Sequence, residues 1–127
     1  MSTEITALGR HCLVELYECP RERLDDAELV LAGVREAARR ARATLLEERV
    51  HRFEPHGVTA IALLAESHIS VHTWPEHGYA AVDVFTCGTQ TDPVAAGMHL
   101  VAVLCARRHE LRLVERGTDP HAKRAAS

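Results

Sequence analysis

No apolar run in the sequence approaches the ~20 residues that a membrane span needs. The longest, Leu100 to Ala106, is far too short. The opening Met1-Ser2-Thr3-Glu4 has neither the basic nor the apolar region of a secretion signal, so the expected location is the cytoplasm. Net charge is only −3 with His neutral. That leaves no basic footprint for nucleic acid and no polybasic patch for anionic lipid. The four cysteines, Cys12, Cys19, Cys87 and Cys105, contain no C-x-x-C pair. A zinc site of the usual spacing is therefore not expected, and cytoplasmic thiols are expected to be free. Internal repeats and linkers are also missing. What remains is 127 residues, 46% hydrophobic and 26% charged, which suits one soluble globular domain. A core can form at this size, although the chain is small for an enzyme that must also enclose a substrate.

Hydrophobic periodicity orders the chain. Leu8 to Cys19 reads as a strand with Cys12, Val14 and Leu16 on one face and His11, Leu13, Glu15 and Tyr17 on the other. Pro20 to Leu24 reads as a connection. Asp25 is placed to cap a helix with Glu28 completing a capping box. Val30, Val34, Ala37 and Ala41 then recur at helical spacing and predict an amphipathic helix over 26–43, with Arg35, Glu36, Arg39 and Arg40 as its wet side. Thr44 to Phe53 reads as a strand and Pro55-His56-Gly57 as a turn. Val58 to Ala65 is nearly all apolar, as in a buried central strand. His68 to Trp74 alternates, with His68, Ser70, His72 and Trp74 on one face and Ile69 and Val71 on the other. Pro75-Glu76-His77-Gly78 turns the chain into a strand over Tyr79–Phe85. Asp92-Pro93 supplies a cap and a first-turn proline for a second helix, with Val94, Met98, Val101 and Cys105 as its buried stripe. Leu111 to Val114 reads as a short last strand, and Gly117 to Ser127 as a frayed tail. Adjacent strands joined by tight turns, with two helices, predict an α+β two-layer sandwich: an antiparallel sheet with helices on one face. The other face would carry Tyr17, Phe53, His72 and Trp74, too apolar to stay wholly wet, so a partner sheet is expected there.

The segment Glu66-Ser67-His68-Ile69-Ser70-Val71-His72-Thr73-Trp74-Pro75-Glu76 concentrates reactive side chains, and Phe85-Thr86-Cys87-Gly88 places a thiol at a strand end. A Ser–His pair could act as nucleophile and base. Ser67 sits in no G-x-S-x-G elbow, however, and no triad acid is evident. His68 and His72 could ligate a metal with His51, His56 or His77. Positions i and i+4 of a strand lie ~13 Å apart, too far to share one ion. A histidine-rich strand face satisfied by its sheet neighbours is the bland alternative, and residue chemistry alone favours it.

Glu66 to Gly88 resembles the signature of the prokaryotic S-adenosylmethionine decarboxylase proenzymes. The resemblance also takes in Gly9-Arg10-His11, Tyr17-Glu18-Cys19, His51-Arg52-Phe53, Gly57-Val58 and Glu115-Arg116-Gly117, and so covers roughly residues 8 to 117. A match of this extent is far more specific than a short pattern. It implies self-cleavage between Glu66 and Ser67 into a chain of residues 1–66 and a chain of residues 67–127. Ser67 Oγ would attack the Glu66 carbonyl carbon and convert the amide to an ester. Loss of the residue-67 Cα proton would eliminate that ester, and hydrolysis would leave a pyruvoyl cofactor and ammonia. By the same resemblance His72 takes that proton, as an imidazole with an ordinary pKa near ~6.5 can. Thr59 stands where a serine is expected to assist processing.

In the decarboxylation that follows, the substrate amine condenses with the pyruvoyl ketone, and the conjugated carbonyl accepts the electrons released with CO2. By the same resemblance Cys87 would return a proton to the substrate carbon, a role open to a thiol of ordinary pKa ~8.5. Phe53 and Trp74 offer aromatic faces to a sulfonium and an adenine, and Glu76 an acceptor for ribose hydroxyls. Without the resemblance Cys87, Phe53 and Trp74 would be ordinary packing residues, and Glu76 a turn residue. The implied product is the aminopropyl donor for spermidine synthesis. The implied assembly is a homodimer with sheets facing and active sites drawing on both protomers. Two other readings remain open: a pyruvoyl-dependent decarboxylase of arginine or ornithine, and an unprocessed binding module.

Overall fold

β1 (Gly9–Tyr17) pairs antiparallel with strands on both sides, and the rest of the sheet is laid out from it. The computed structural model describes residues 7–119; the expected signal-free N-terminus and most of the expected tail from Gly117 lie outside them. After β1 come α1 (Arg21–Leu24), α2 (Ala27–Arg40), β2 (Leu45–Arg52), β3 (Val58–Leu64), β4 (Ser67–Trp74), a 3-10 turn (Pro75–His77), β5 (Tyr79–Cys87), α3 (Pro93–Val103) and β6 (Arg108–Arg116). The strands form one six-stranded antiparallel sheet in the order β2-β3-β4-β5-β1-β6. α2 packs over β2, β3 and β4, and α3 over β5 and β1. The expected α+β architecture with helices on one face is the one observed.

Alternation decides which side chains meet the helices. Cys12, Val14 and Leu16 of β1, Ile69 and Val71 of β4, and Val82 and Val84 of β5 are buried beneath them. Each such aliphatic side chain contributes roughly 1.5–3 kcal/mol on leaving water. β3 is buried on one face only, where its apolar run suggests a buried central strand. Val58, Ala60, Ala62 and Leu64 face the helices, whereas Ile61 and Leu63 are 44% and 50% exposed on the opposite side. An apolar run cannot tell two covered faces from one, and here the chain supplies a layer on one face only.

The cap of α2 is Asp26, whose side chain accepts from the Leu29 N–H, and not the expected Asp25. Asp25 is engaged elsewhere: its carboxylate accepts from the Gly57 N–H at 2.9 Å and from Arg52 at 2.7 Å. α2 ends at Arg40, three residues before the expected limit, where Arg42 takes a left-handed φ of 59°. Its buried residues include the expected Val30, Val34 and Ala37.

In α3 the expected stripe is corrected. Only Val101 of the four is buried; Met98 is exposed, Val94 is partly buried, and Cys105 lies beyond the helix and is exposed. The true contact face is Ala96, Gly97 and Leu100. α3 is apolar nearly all round, so periodicity carries little information, and close approach selects the face. A Cβ at Gly97 would come within 3.0 Å of Val14 and 3.3 Å of Cys12. β6 runs far beyond the expected Leu111–Val114. Its charged ends hide the pattern, and pairing with the whole of β1 supplies the strand.

Candidate active site

Ala65 and Glu66 form the two-residue turn between β3 and β4, with Leu64 opposite Ser67 in register. Tight hairpins of this length favour Asn and Gly, which accept positive φ. Neither stands here, and the strain falls on the next residue: Ser67 has φ 149°. The other described non-glycine residues with positive φ, Glu18, Arg42 and Cys105, lie at 53–59°, in the left-handed helical region. Conformations such as that of Ser67 cost of order 1–3 kcal/mol and persist only where surrounding contacts impose them.

Those contacts are present on both sides of the Glu66–Ser67 peptide. The Glu66 carbonyl oxygen accepts from the Cys87 N–H at 3.0 Å and from the Cys87 thiol at 3.1 Å. Two donors aimed at one carbonyl oxygen are the arrangement that stabilises an oxyanion when that carbon is attacked. The Glu66 carboxylate accepts from the Thr44 N–H at 3.0 Å and the Thr44 hydroxyl at 3.4 Å. The Thr44 carbonyl accepts from Ala65 N–H at 2.9 Å. Cys87 reaches this place because β5 pairs with β4, with Thr86 opposite Ser67. A hollow of ≈ 200 Å³ bordered by Gly9, Arg10, Gly88 and Glu115 adjoins the Cys87–Gly88 end of β5.

A second cluster lies at the far end of β4. Thr59 and His72 are register partners, and Thr59 Oγ1 stands 3.0 Å from His72 Nδ1. Trp74 stacks at a tilt near His72, with ring centroids 6.5 Å apart. Phe53, Thr59, His72, Trp74 and Glu76 line one hollow of ≈ 450 Å³. Phe53 and Trp74 are 47% and 40% exposed, leaving their faces open to a ligand. Glu76 is joined by His56, whose Nε2 lies 3.1 Å from Glu76 Oε1.

The expected site residues thus fall into two groups: Glu66, Ser67 and Cys87 at one end of β4, and Phe53, Thr59, His72, Trp74 and Glu76 at the other. Five positions separate Ser67 from His72 on one extended strand, about 16 Å at the usual rise. Within a single chain the imidazole does not reach the residue-67 Cα.

The sequence reading gives Thr44 no role, takes Asp25 for a helix cap, and sees His56 only as a turn residue or a metal candidate. Each acts through a contact made far along the chain, and no local pattern marks such a contact. Asp25 secures the turn that carries His56 and Gly57. Its carboxyl is held below the ordinary carboxylate range, first by the Gly57 N–H and then by Arg52. Burial pushes the Cys12 and Cys19 thiols up to about 11, whereas Cys87 is exposed. Among the described residues no group of three or more His, Cys, Asp or Glu side chains is placed to hold a metal ion, and no helix is long and apolar enough to cross a membrane.

Comparison with known proteins gives the family. The family described as S-adenosylmethionine decarboxylase matches residues 10–117. An S-adenosylmethionine decarboxylase proenzyme of Synechococcus sp. (strain WH7803) is 57% identical over 111 residues, 87% of each chain. The proenzyme of that name from Thermotoga maritima is 46% identical over 87% of this chain and 85% of its own. The crystal structure of the adenosylmethionine decarboxylase from Aquifex aeolicus superposes with a TM-score of 0.84 at 36% identity, covering 93% of this chain and 98% of that one. With the match spanning both clusters, the chain belongs to the S-adenosylmethionine decarboxylase family.

Proposed function

We propose that this chain is a proenzyme that cuts itself between Glu66 and Ser67. The resulting chains, residues 1–66 and 67–127, would then act together as a decarboxylase of S-adenosylmethionine. The observation that carries the reading is the Glu66–Ser67 peptide itself. Its carbonyl oxygen already accepts from two donors of Cys87, and the residue after it is strained at φ 149°. The relatives' name, proenzyme, supports the same reading.

In the first step Ser67 Oγ bonds to the Glu66 carbonyl carbon, the C–N bond breaks, and the hydroxyl proton passes to the freed nitrogen. Charge that builds on the carbonyl oxygen is met by the Cys87 N–H and thiol. His72, its Nδ1 engaged by Thr59, is the base for the residue-67 Cα proton. Because His72 lies about 16 Å along its own strand from Ser67, it serves a Ser67 on a second copy of the chain. That requires the open sheet faces of two protomers to meet, and the half-exposed Ile61 and Leu63 on this face favour burial there.

A pyruvoyl group made from Ser67 fits the residues around it, and when formed it supplies a ketone that captures an amine and withdraws electrons. Cys87 stands beside that position and holds a proton to return to the substrate carbon. Phe53 and Trp74 present faces for a sulfonium and an adenine, and Glu76 accepts from ribose hydroxyls with His56 behind it. The product would be the aminopropyl donor for spermidine synthesis.

The test is the intact mass of the purified protein under denaturing conditions, followed by product identification. Two chains broken after Glu66 are expected, the second carrying a pyruvoyl in place of serine, with CO2 released from S-adenosylmethionine. A chain that stays whole on long incubation refutes the reading.

A further inference from the structure

The Glu66 side chain has no part in the bond changes of self-cleavage, yet it is tied down more firmly than a turn carboxylate needs to be. An acidic group at a hairpin tip is ordinarily left to water. Here the carboxylate takes both the N–H and the hydroxyl of Thr44, while the Thr44 carbonyl takes the N–H of Ala65. Thr44 thus holds both residues of the turn from the β2 side. Cys87 holds the Glu66 carbonyl from the β5 side. Between these two anchors the chain leaves Glu66 with ordinary φ and enters Ser67 with φ 149°. A free Ala-Glu turn would relax by rotating about the Glu66–Ser67 unit. Pinned at both ends, it cannot.

We infer that Thr44 and the Glu66 carboxylate form a clamp for self-cleavage, with Thr44 the positioning residue that holds the strained Glu66–Ser67 peptide ready for attack by Ser67 Oγ. The inference rests on the proenzyme reading above and adds to it a residue pair and a step. The clamp acts before the ester exists, because the strain it imposes is relieved once the carbonyl carbon moves from nitrogen to oxygen. It is distinct from His72 and Thr59, which act on the ester.

The experiment follows appearance of the 67–127 fragment by intact mass in freshly purified full-length wild type, Glu66→Ala, Glu66→Gln, Thr44→Val and Thr44→Ser. Loss of hydrogen bonds to a charged group is expected to slow cleavage about 10- to 100-fold in Glu66→Ala. Glu66→Gln, which keeps an acceptor for the Thr44 N–H, should fall between it and the wild type. Thr44→Val should slow cleavage a few-fold, and Thr44→Ser should cut at nearly the wild-type rate. Hydroxylamine cleaves esters and not amides, so it should release nothing from stalled Glu66→Ala, whereas it should cut stalled His72→Ala. Thermal melting of each substitution in an uncleavable Ser67→Ala chain separates folding from cleavage. If Glu66→Ala melts early, Glu66→Gln and the Thr44 pair decide the question. Cleavage of Glu66→Ala within twofold of wild type overturns the clamp alone, as does hydroxylamine release from the stalled variant or equal rates for Thr44→Val and Thr44→Ser. A wild-type chain that never cuts overturns the proenzyme reading and the clamp with it.

Discussion

Thr59 Oγ1 and His72 Nδ1 face each other at 3.0 Å across the β3–β4 pair. With Nδ1–H donating to the Thr59 hydroxyl, Nε2 is the nitrogen left to take a proton. A hydroxyl that fixes ring tautomer and orientation matters only to the step in which the ring acts. Thr59→Val is therefore expected to slow completion of processing about 10-fold while the ester still forms. Accumulated ester, measured as hydroxylamine-releasable fragment, should rise. Thr59→Ser keeps the hydroxyl and should behave like the wild type.

Cys87 contributes a backbone and a side-chain donor to the same carbonyl oxygen. Cys87→Ala removes only the side-chain donor. A full oxyanion donor is worth about 100- to 1,000-fold, and a thiol donates weakly, so cleavage should slow about 10-fold without stopping. On the proposed role of Cys87 as proton donor to the substrate carbon, decarboxylation per processed chain should fall much further. Parallel time courses of fragment mass and CO2 release separate the two effects.

The distance between Ser67 and His72 makes a prediction about mixing. A His72→Ala chain retains its own Ser67, and a Ser67→Ala chain retains its own His72. Neither alone should complete processing. After mixing and subunit exchange, the His72→Ala chain should be cut and the Ser67→Ala chain should remain whole, as read by mass. Ile61→Glu, placed on the half-exposed apolar side of β3, should shift the protein toward monomer in sedimentation and stall processing at the ester.

Asp25 links the segment before α2 to the turn between β2 and β3. Its folded pKa is lowered from 3.8, chiefly by the Gly57 N–H. A lowered carboxylate stabilises the fold above its unfolded pKa, and that contribution is lost as pH falls through the folded value. Asp25→Asn should cost about 1 kcal/mol at pH 7 and flatten the loss of stability below pH 4, by urea denaturation. Affinity for an adenosyl ligand should weaken too, because the turn carries His56 beside Glu76.

Cys12 and Cys19 are 0% and 5% exposed, with thiols pushed up from 9.0 to about 11, first by burial. At pH 8 iodoacetamide should label Cys87 and Cys105 and spare these two until the protein unfolds. A raised thiol pKa stabilises the fold below the unfolded value and ceases to do so as pH rises through the folded one. The denaturation midpoint should accordingly fall between about pH 9 and pH 11.

Much of the fold was legible before any coordinates. The alternation of β1 and β4, the stripe of α2, and the Asp92-Pro93 start of α3 each follow from periodicity and capping, which act over a few residues. Errors arose where the deciding partner was distant. Asp25 resembles a helix cap until Gly57 and Arg52 are seen to claim it. The stripe of α3 could not be chosen from a helix apolar on every side, and only the fit of Gly97 against Val14 and Cys12 selects it. β6 shows only the short run Leu111–Val114 in its sequence and owes the rest of its length to β1.

The sequence by itself determined the kinds of element, their order, and the segment in which reactive side chains are concentrated, because local spacing and residue chemistry are written along the chain. Tertiary structure alone decided which of those side chains meet. Strand register sets Cys87 against the Glu66 carbonyl across 21 residues of chain and Thr44 against the Glu66 carboxylate across 22. The same strand geometry holds His72 away from Ser67, although only five positions separate them. Period tells a residue its face; register and layer packing choose its neighbour, and the chemistry proposed here depends on the neighbour.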